Sequence, residues 1–490
     1  MTNPNPAVQH NLTETVEELV PTLKQPKNVE QYGLEPVPDE ERKVGWFSLF
    51  QIIINVLLNP GLILISGLAV AAGLPFWASV IAMTLGVVMA FIPYTILATI
   101  GVDYGLPGTV ATRAFLGIRG SQVIIGGMRT ISSAFWFAFT TLAGAAGIVA
   151  IIKSLFNADV SLIVVSLLFA VAQAVVALFG YHSLKWLSRV AFPVKLFVIA
   201  YLLWWLATSG APGFAPAEVF SFAGTEGWNW SIIAVWASGM AVGWFAQVTD
   251  AADYCRYTNS RVQMWTATLL AAVVGGFGAA FFGAYAAAGA LGKTANAFEV
   301  IPSLNPGVVT LLLLLLLLVL DNWTVNVMNL YTGGLALANL ISKLGRFWST
   351  IVVAIFGTVL AAFPFIVEQF TDAINILGYG FAPLVGVFVA DYFMKRGHID
   401  VLGLFDRKGP YWYFHGFNLS AVAWVIIGAI GYNFVPVWLM QGPAVAVAVG
   451  IGHALTTSLL KRLGPDKPLT SASTVKGNID EDGRDASLVS

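Results

Sequence analysis

Residues 311–326 read LLLLLLLLVLDNWTVN, and this stretch decides the fold. Ten aliphatic residues lead directly into Asp321, and the apolar pattern then continues to residue 340. Such a run can cross the roughly 30 Å hydrocarbon core of a bilayer as a helix. A charged residue at the centre of such a helix costs about 2.5–3.5 kcal/mol on insertion, and it persists when it faces a bundle interior and has a partner. The stretch therefore predicts a membrane helix with a functional carboxylate.

The composition of the whole chain extends this prediction. The 490 residues are 57% hydrophobic and 10% charged, with a mean hydropathy of +0.78. Soluble domains carry roughly 25% charged residues. Apolar windows of membrane-spanning length recur along the chain, and helices satisfy their own backbone hydrogen bonds in lipid. We therefore expect an all-α polytopic membrane protein.

Twelve membrane helices are expected, between polar tails at 1–45 and 461–490 that are short of apolar residues and predicted to be mostly disordered. The twelve spans fall near residues 46–72, 76–101, 121–152, 160–180, 186–209, 229–252, 263–290, 306–335, 346–368, 372–394, 414–432 and 436–460.

The basic residues predict the orientation. Most of them lie in the two tails and in the loops on one side, whereas the opposite loops carry only Lys153 and Lys293. By the positive-inside rule both termini are cytoplasmic. No basic stretch followed by a short apolar segment opens the chain, so no cleaved signal peptide is expected. The predicted location is the plasma membrane, or the inner membrane if the source is bacterial.

Several functional classes are disfavoured. A net charge of −1 argues against a nucleic-acid partner. The only cysteine is Cys255, the five histidines are scattered, and no His-Glu-x-x-His, P-loop or G-x-S-x-G motif occurs. We therefore expect no enzyme activity, no cofactor and no metal beyond a coupling ion. The oligomeric state is left open.

Among the other charged residues of the predicted spans, Arg129 and Lys195 lie deepest in the apolar runs. Arg129 is in the first third of span 3, close enough to its end for the guanidinium to reach the interface. Lys195 is in the middle of span 5 and has no such exit. We expect Lys195 and Asp321 to pair inside the bundle, either as a structural pair or, as we favour, in a transport pathway.

Two spans carry residues that can interrupt a helix. Span 1 contains Asn59, Pro60 and Gly61, where proline removes a backbone donor. Span 6 contains Gly239 and Gly243, whose spacing alone is more typical of close helix packing. Interruptions at corresponding positions of two five-helix halves are typical of transporters with broken helices. We therefore expect helices 1 and 6 to be broken.

Four dispersed stretches resemble the nucleobase:cation symporter-1 family, in its cytosine and purine permease branch. They are YGLEPVPDEERKVGW (32–46), ADYCRYT (252–258), WTVNVMNLYTGGLALANL (323–340) and FAPLVGVFVADYFMKR (381–396). The resemblance runs from about residue 32 to residue 460 with the motifs in the family's order. It implies a leucine-transporter-like fold, with inverted five-helix repeats at 46–209 and 229–394 and two additional helices at 414–460.

The resemblance also implies where a flat heterocycle is held. The family stacks its ligand between aromatic side chains of spans 3 and 6, which fall here on Trp136 and on Trp244, with Gly243 just before it. Each stacked base gains roughly 1–3 kcal/mol. Thr140, one turn after Trp136, is expected to face the same ligand. Hydrogen bonds to the ring edges are expected from Gln247, Asn326 and Asn329.

A departure from the family in span 8 bears on the coupling ion. Sodium-coupled relatives hold Na⁺ with two adjacent hydroxyl residues, which are here Thr324 and Val325, and valine offers no oxygen. Some proton-coupled members of the wider superfamily place a span 5 lysine there, and Lys195 matches it. We expect Asp321 and Lys195 to form the coupling site and favour H⁺. In the alternative, Asp321 compensates for Val325 and Na⁺ binds near Asp321 and Thr324.

Residues and resemblance together predict an importer of a nucleobase, cytosine or purines, by alternating-access symport with a cation. Uracil, allantoin, hydantoins or a vitamin-like ring are the alternative substrates, and a passive facilitator or channel is the alternative mechanism. The expected partners are the small heterocycle and the lipid bilayer.

Overall fold

The structure, a computed structural model, describes residues 6–463, with side chains from residue 13 to residue 460. Within that range it is helical, with a single isolated bridge between Phe414 and Phe417. The helices of ten or more residues are α1 (Pro6–Leu19), α2 (Trp46–Leu57), α3 (Pro60–Ala71), α4 (Phe76–Tyr104), α5 (Ile118–Phe156), α6 (Leu162–Ala177), α7 (Tyr181–Thr208), α8 (Trp230–Val248), α9 (Arg261–Gly289), α10 (Val308–Leu340), α11 (Gly345–Leu360), α12 (Phe370–Met394), α13 (Leu419–Gly431) and α14 (Gln441–Leu463).

Nine helices in the described range are long and apolar enough to cross a membrane, namely α4, α5, α7 to α12 and α14. Helices α2 and α3 pass the same test together as one bent segment, which makes up to ten. Helices α6 and α13 are apolar but shorter. The all-helical membrane fold expected from the sequence is thus present.

The chain bends by 47° between α2 and α3. Asn59 caps α3, because its Oδ1 accepts a hydrogen bond from the backbone N–H of Leu62 at 3.0 Å. Its Nδ2 donates back to the carbonyl oxygen of Val56 at 2.6 Å. Pro60 is the first residue of α3, where a missing N–H leaves no helical bond unmade. The residues expected to interrupt span 1 therefore end one helix and begin the next.

Helix α8 differs from the prediction. It runs without interruption from Trp230 to Val248, so the glycines at 239 and 243 do not break it. Thr249 and Asp250 follow, and a five-residue helix, Ala251–Cys255, starts after them. Both glycines border the space in front of α12, where Ile374 lies 3.6 and 3.7 Å from the Cβ positions they lack. These are ordinary van der Waals distances, so the contact with α12 does not require glycine at either position.

Helix α10 packs most extensively against α5, and it also lies close to α11. A Cβ at Gly334 would lie 2.1 Å from the Thr350 hydroxyl oxygen of α11, so only glycine allows this approach. One at Gly333 would lie 2.7 Å from Cβ of Ser133 in α5. This tight contact fixes the position of the polar face of α10 relative to α5.

Arg129 of α5 does not extend to the membrane–water interface, contrary to the expectation from the sequence. Its side chain is fully buried and forms an ion pair with Asp250 of the linker after α8. Its Nη2 also donates to the Thr332 hydroxyl of α10 at 2.9 Å. Distance from the span end was a poor guide, because Asp250 supplies a buried carboxylate partner within the bundle.

The described part of the N-terminal tail is ordered, contrary to the expectation. Leu34 and Val37 belong to the buried core, and Glu30 is 5% exposed. Polar contacts with the helices hold much of this segment in place. The prediction of disorder rested on the small number of apolar residues, which does not reveal such contacts. The C-terminal tail lies outside the described residues beyond 463.

Candidate functional site

A cavity lies where α2, α3, α5, α8, α10 and α12 meet. Its walls are mostly apolar with a few polar side chains, as is typical of small-molecule sites. The predicted residues that line it are Asn59, Trp136, Thr140, Gly243, Trp244, Gln247 and Asn329.

Two indole rings form part of the cavity wall. Trp136 packs edge-to-face against Phe370 of α12, with ring centroids 6.3 Å apart. Trp244 packs edge-to-face against Phe91 of α4 at 5.7 Å. A Cβ at Gly243 would lie 3.3 Å from the Trp136 ring. Glycine at this position therefore avoids a close contact with the indole. The neighbouring aromatics fix both indoles in favourable ring geometries.

The polar side chains of the cavity are amides and one hydroxyl. Gln247 Oε1 accepts a hydrogen bond from the Tyr254 hydroxyl at 3.4 Å. Asn329 Nδ2 donates to Asn326 Oδ1 at 3.1 Å. Asn326 itself is fully buried behind the wall and is not among the lining residues. It also accepts from the Thr140 hydroxyl at 2.7 Å. Asn326 therefore supports the lining residues from behind.

The ammonium of Lys195 lies in the break between α2 and α3. Its Nζ donates to the carbonyl oxygens of Asn55 at 3.1 Å and Leu58 at 3.0 Å, which the bend leaves without helical partners. It also donates to the Thr324 hydroxyl at 2.6 Å. Asp321 Oδ1 lies 2.9 Å from the same nitrogen, and both charged side chains are fully buried. The predicted coupling residues are thus in direct contact.

A buried ion pair of this kind depends on both partners, because removal of one leaves an uncompensated charge at a cost of about 3–5 kcal/mol. An ammonium beside a carboxylate can also exchange a proton with it. Val325 lines the cavity but supplies no oxygen atom. Among the residues from 6 to 463, no group of three or more His, Cys, Asp or Glu residues could hold a metal ion.

A second buried charge cluster lies where the N-terminal segment meets the helices. Glu30 Oε1 lies 3.1 Å from Arg256 Nη2, and Oε2 lies 3.8 Å from Arg346 Nε. The hydroxyls of Tyr331 and Tyr257 both donate to Glu30 Oε1. Because Arg256 follows α8 while Arg346 and Tyr331 belong to α11 and α10, Glu30 joins segments from both sides of the cavity.

The two glutamates of the N-terminal segment experience opposite environments. Burial acts to raise the pKa of Glu30, but the charges of Arg346 and Arg256 outweigh it and leave the pKa below its usual value. Burial raises the pKa of Glu35, despite its hydrogen bond from the N–H of Gly33 at 2.7 Å. Ionised Glu30 therefore stabilises the fold above its unfolded pKa of about 4.3, whereas ionised Glu35 destabilises it.

We expect Glu30→Gln to lower the thermal unfolding temperature of the detergent-solubilised protein at pH 7, because it leaves two buried arginines without their carboxylate. The loss is about 3–5 kcal/mol, and it should shrink as the pH falls through the folded pKa of Glu30. Glu35→Gln is the matched control and should leave the temperature unchanged or raise it. Equal losses in the two variants at pH 7 would contradict this assignment.

Three residues of the site escaped the sequence analysis. Gln173 of α6 is fully buried and accepts a hydrogen bond from Asn326 Nδ2. The signal in the sequence was an amide within the largely apolar stretch 162–178. Phe370 covers the cavity from α12, but nothing distinguishes it from the other phenylalanines. Glu30 lies in the polar N-terminal tail, whose composition gives no signal of burial.

The fold matches those of solved membrane transporters. A nucleobase-cation-symport-1 family transporter, Mhp1, in a closed conformation with bromovinylhydantoin bound, superposes with a TM-score of 0.75 over 92% of this chain and 98% of that chain, at 23% identity. A Na⁺-coupled sialic acid symporter superposes with a TM-score of 0.64 over 92% and 97%, at 13% identity. The chain therefore has the fold of a multi-pass helical membrane transporter.

The family model described as permease for cytosine/purines, uracil, thiamine, allantoin matches residues 36–451. The chain belongs to this family, so it is a permease and not an enzyme, and the predicted family membership is confirmed. Hydantoin permease of Microbacterium maritypicum is 26% identical over 429 residues, which are 83% of this chain and 84% of the relative. Cytosine permease of Escherichia coli K12 is 25% identical over 446 residues, or 90% and 97%.

Proposed function

We propose that this permease imports a nucleobase, cytosine or a purine, by symport with a proton through alternating access. The proposal rests on the break between α2 and α3, because its residues contact both the cavity and the buried Lys195 ammonium. Val56 and Asn59 line the cavity. The carbonyl oxygens of Asn55 and Leu58 accept hydrogen bonds from Lys195. A movement of this segment therefore affects the cavity and the buried ion pair together.

The cavity suits a flat heterocycle. Trp136 and Trp244 offer aromatic faces, and stacking contributes roughly 1–3 kcal/mol per base. Gln247 and Asn329 offer amide groups for the edges of the ring. Cytosine permeases are among the relatives, which supports a nucleobase as the first substrate to test.

The Lys195 ammonium supports H⁺ rather than Na⁺ as the coupling ion. It already binds the oxygens of Asn55, Leu58 and Thr324 and pairs with Asp321, and these are the oxygens that a cation at the helix break would use. An ammonium has three N–H donors and neutral lysine has two, so proton loss leaves an acceptor unbound.

Loss of the proton therefore weakens the contact between α7, α10 and the α2–α3 break. Since that break also lines the cavity, proton and substrate favour the same closed arrangement, and the two binding events are linked. In our proposal α2, α3, α4, α8 and α9 rock against α5, α6, α10 and α11 and open the cavity to one side at a time.

We further propose that the chain crosses the plasma membrane twelve times, with α6 and α13 as shorter crossings and α2 with α3 as one broken crossing. Five-helix repeats at 46–209 and 229–394 and two additional helices at 414–460 follow from this count. The excess of Lys and Arg in alternate loops supports cytoplasmic termini. In a bacterial source the membrane is the inner membrane.

A related heterocycle is the second candidate substrate. Hydantoin permease of Microbacterium maritypicum is as similar to this chain as the cytosine permeases are. Hydantoins, uracil and allantoin share with the nucleobases a flat or nearly flat ring whose edge carries amide groups, so they meet the same walls and the same two side-chain amides.

The test is uptake of radiolabelled cytosine and hypoxanthine into proteoliposomes under separately imposed H⁺ and Na⁺ gradients. We expect the wild-type protein to accumulate at least one base under a pH gradient alone. Accumulation only under a Na⁺ gradient would replace the proton by sodium in this proposal. A failure to concentrate any base, hydantoin, uracil or allantoin under either gradient would overturn it.

A further inference from the structure

A chain of three side-chain amides runs from α6 into the cavity. Asn326 Nδ2 donates to Gln173 Oε1, and Asn326 Oδ1 accepts from Asn329 Nδ2 at 3.1 Å. Asn329 lines the cavity, whereas Gln173 and Asn326 are fully buried behind it. We name Gln173, Asn326 and Asn329 the amide relay. With this direction of hydrogen bonding, Asn329 offers its carbonyl oxygen to a ligand.

The outer end of the amide relay is not anchored. Gln173 Nε2 is buried and has no hydrogen-bond partner within residues 13–460. A half turn of an amide exchanges its oxygen and nitrogen without a change of shape. If all three amides turn together, Gln173 Nε2 donates to Asn326, Asn326 Nδ2 donates to Asn329, and Asn329 offers its NH₂ group to the ligand. One end of Gln173 is unpartnered in either direction.

The two hydroxyls next to the relay fit both directions. The Thr140 hydroxyl lies 2.7 Å from Asn326 Oδ1 and 2.8 Å from the carbonyl oxygen of Trp136, so it can donate to either. Thr141 Oγ1 lies 3.0 Å from Asn326 Nδ2, and a hydroxyl accepts as readily as it donates. Reversal therefore costs Asn326 only its longest hydrogen bond, the one from Nδ2 to the carbonyl oxygen of Phe137 at 3.5 Å.

We propose that the amide relay is reversible and that its direction sets whether Asn329 meets the ligand as an acceptor or as a donor. This inference rests on the proposed function, because it assigns the ligand of that same cavity. The substrate class is then planar heterocycles with either of two edges: a ring N–H beside a carbonyl, or a ring nitrogen beside an amino group. Gln173 and Asn326 act as positioning residues, since they reach the ligand only through Asn329.

Pairs of bases with the same ring and opposite edges test the reversal. Cytosine with uracil, and adenine with hypoxanthine, exchange donor and acceptor at adjacent ring positions. We expect the purified wild-type protein, in scintillation-proximity competition, to bind the two members of at least one pair with affinities that differ by less than about a hundredfold. A site with fixed donors and acceptors rejects the wrong partner by much larger factors, on the order of 10⁴.

Asn326→Asp should lock the direction. Four groups can donate to the new carboxylate, namely the hydroxyls of Thr140 and Thr141 and the amides of Gln173 and Asn329, and such bonds keep a carboxylate ionised. Asn329 then presents only its oxygen. We expect the affinity ratio within the pair to shift by at least about tenfold, with one member retained, because an unsatisfied buried group costs at least that much.

Asn339→Asp is the matched control, because it makes the same exchange in α10 at a buried amide that does not line the cavity and whose oxygen already accepts from Arg113. Its pair ratio should equal that of the wild type. A wild-type ratio above a hundredfold in both pairs overturns the inference, and so does an Asn326→Asp ratio unchanged from the wild type. If Asn326→Asp does not fold, the wild-type ratios in the two pairs still decide. Wild-type protein that binds none of the four bases overturns the proposed function, and this inference with it.

Discussion

Replacing Asp321 by asparagine is expected to abolish accumulation of the base under a pH gradient. The substitution leaves the Lys195 ammonium, now 2.9 Å from a neutral amide, without its counter-charge in a fully buried position. Breaking such a pair costs about 3–5 kcal/mol, and the pair can no longer take up and release a proton. The measurement is proteoliposome uptake of the base that the wild type concentrates.

A second variant separates a coupling defect from a folding defect. Lys195→Met combined with Asp321→Asn removes both charges, and exchange of a buried ion pair for uncharged groups is often neutral for stability. We expect this double variant to elute as a monodisperse protein and to exchange labelled for unlabelled base, but not to concentrate the base. Accumulation at the wild-type level in the double variant would reduce the pair to a structural role.

The contact between Lys195 and Asp321 shows what a single sequence can predict. Charges in the middle of apolar spans are costly, so each signals a buried partner. Lys195 and Asp321 are the only lysine and the only aspartate near the middle of a predicted span. A single lysine–aspartate pair could therefore be predicted. The carbonyl oxygens of Asn55 and Leu58 could not be predicted in the same way, because they become free only where the chain bends.

Arg129 and Glu30 show where the same reasoning fails. The carboxylate partner of Arg129 is Asp250, which lies in the linker after α8, and Glu30 lies in the N-terminal tail, outside every predicted span. Depth along a predicted span carries no information about such contacts, because loops and tails fold back over the bundle. The cavity residues of α5 and α8 were easier to place, since family motifs fix their register.

Replacing Trp136 by alanine is expected to weaken binding of the transported base by about 5- to 150-fold, because stacking on one aromatic ring contributes roughly 1–3 kcal/mol. Trp136 lines the cavity and packs against Phe370, so the alanine variant also opens the wall toward α12. Trp136→Phe retains an aromatic face and should recover most of the affinity. The measurement is equilibrium binding of the labelled base to purified protein.

The control for this prediction is Trp228→Ala, because Trp228 lies outside the helices and is 62% exposed. It removes an indole of the same size and should leave the affinity unchanged. A Trp136→Ala protein that binds the base as tightly as the wild type would remove stacking at α5 from the site. Loss of binding in Trp136→Phe equal to that in Trp136→Ala would instead assign the effect to the indole N–H, which is buried and has no partner within residues 13–460. Retained affinity in the phenylalanine variant therefore separates stacking by the ring from hydrogen bonding by its nitrogen.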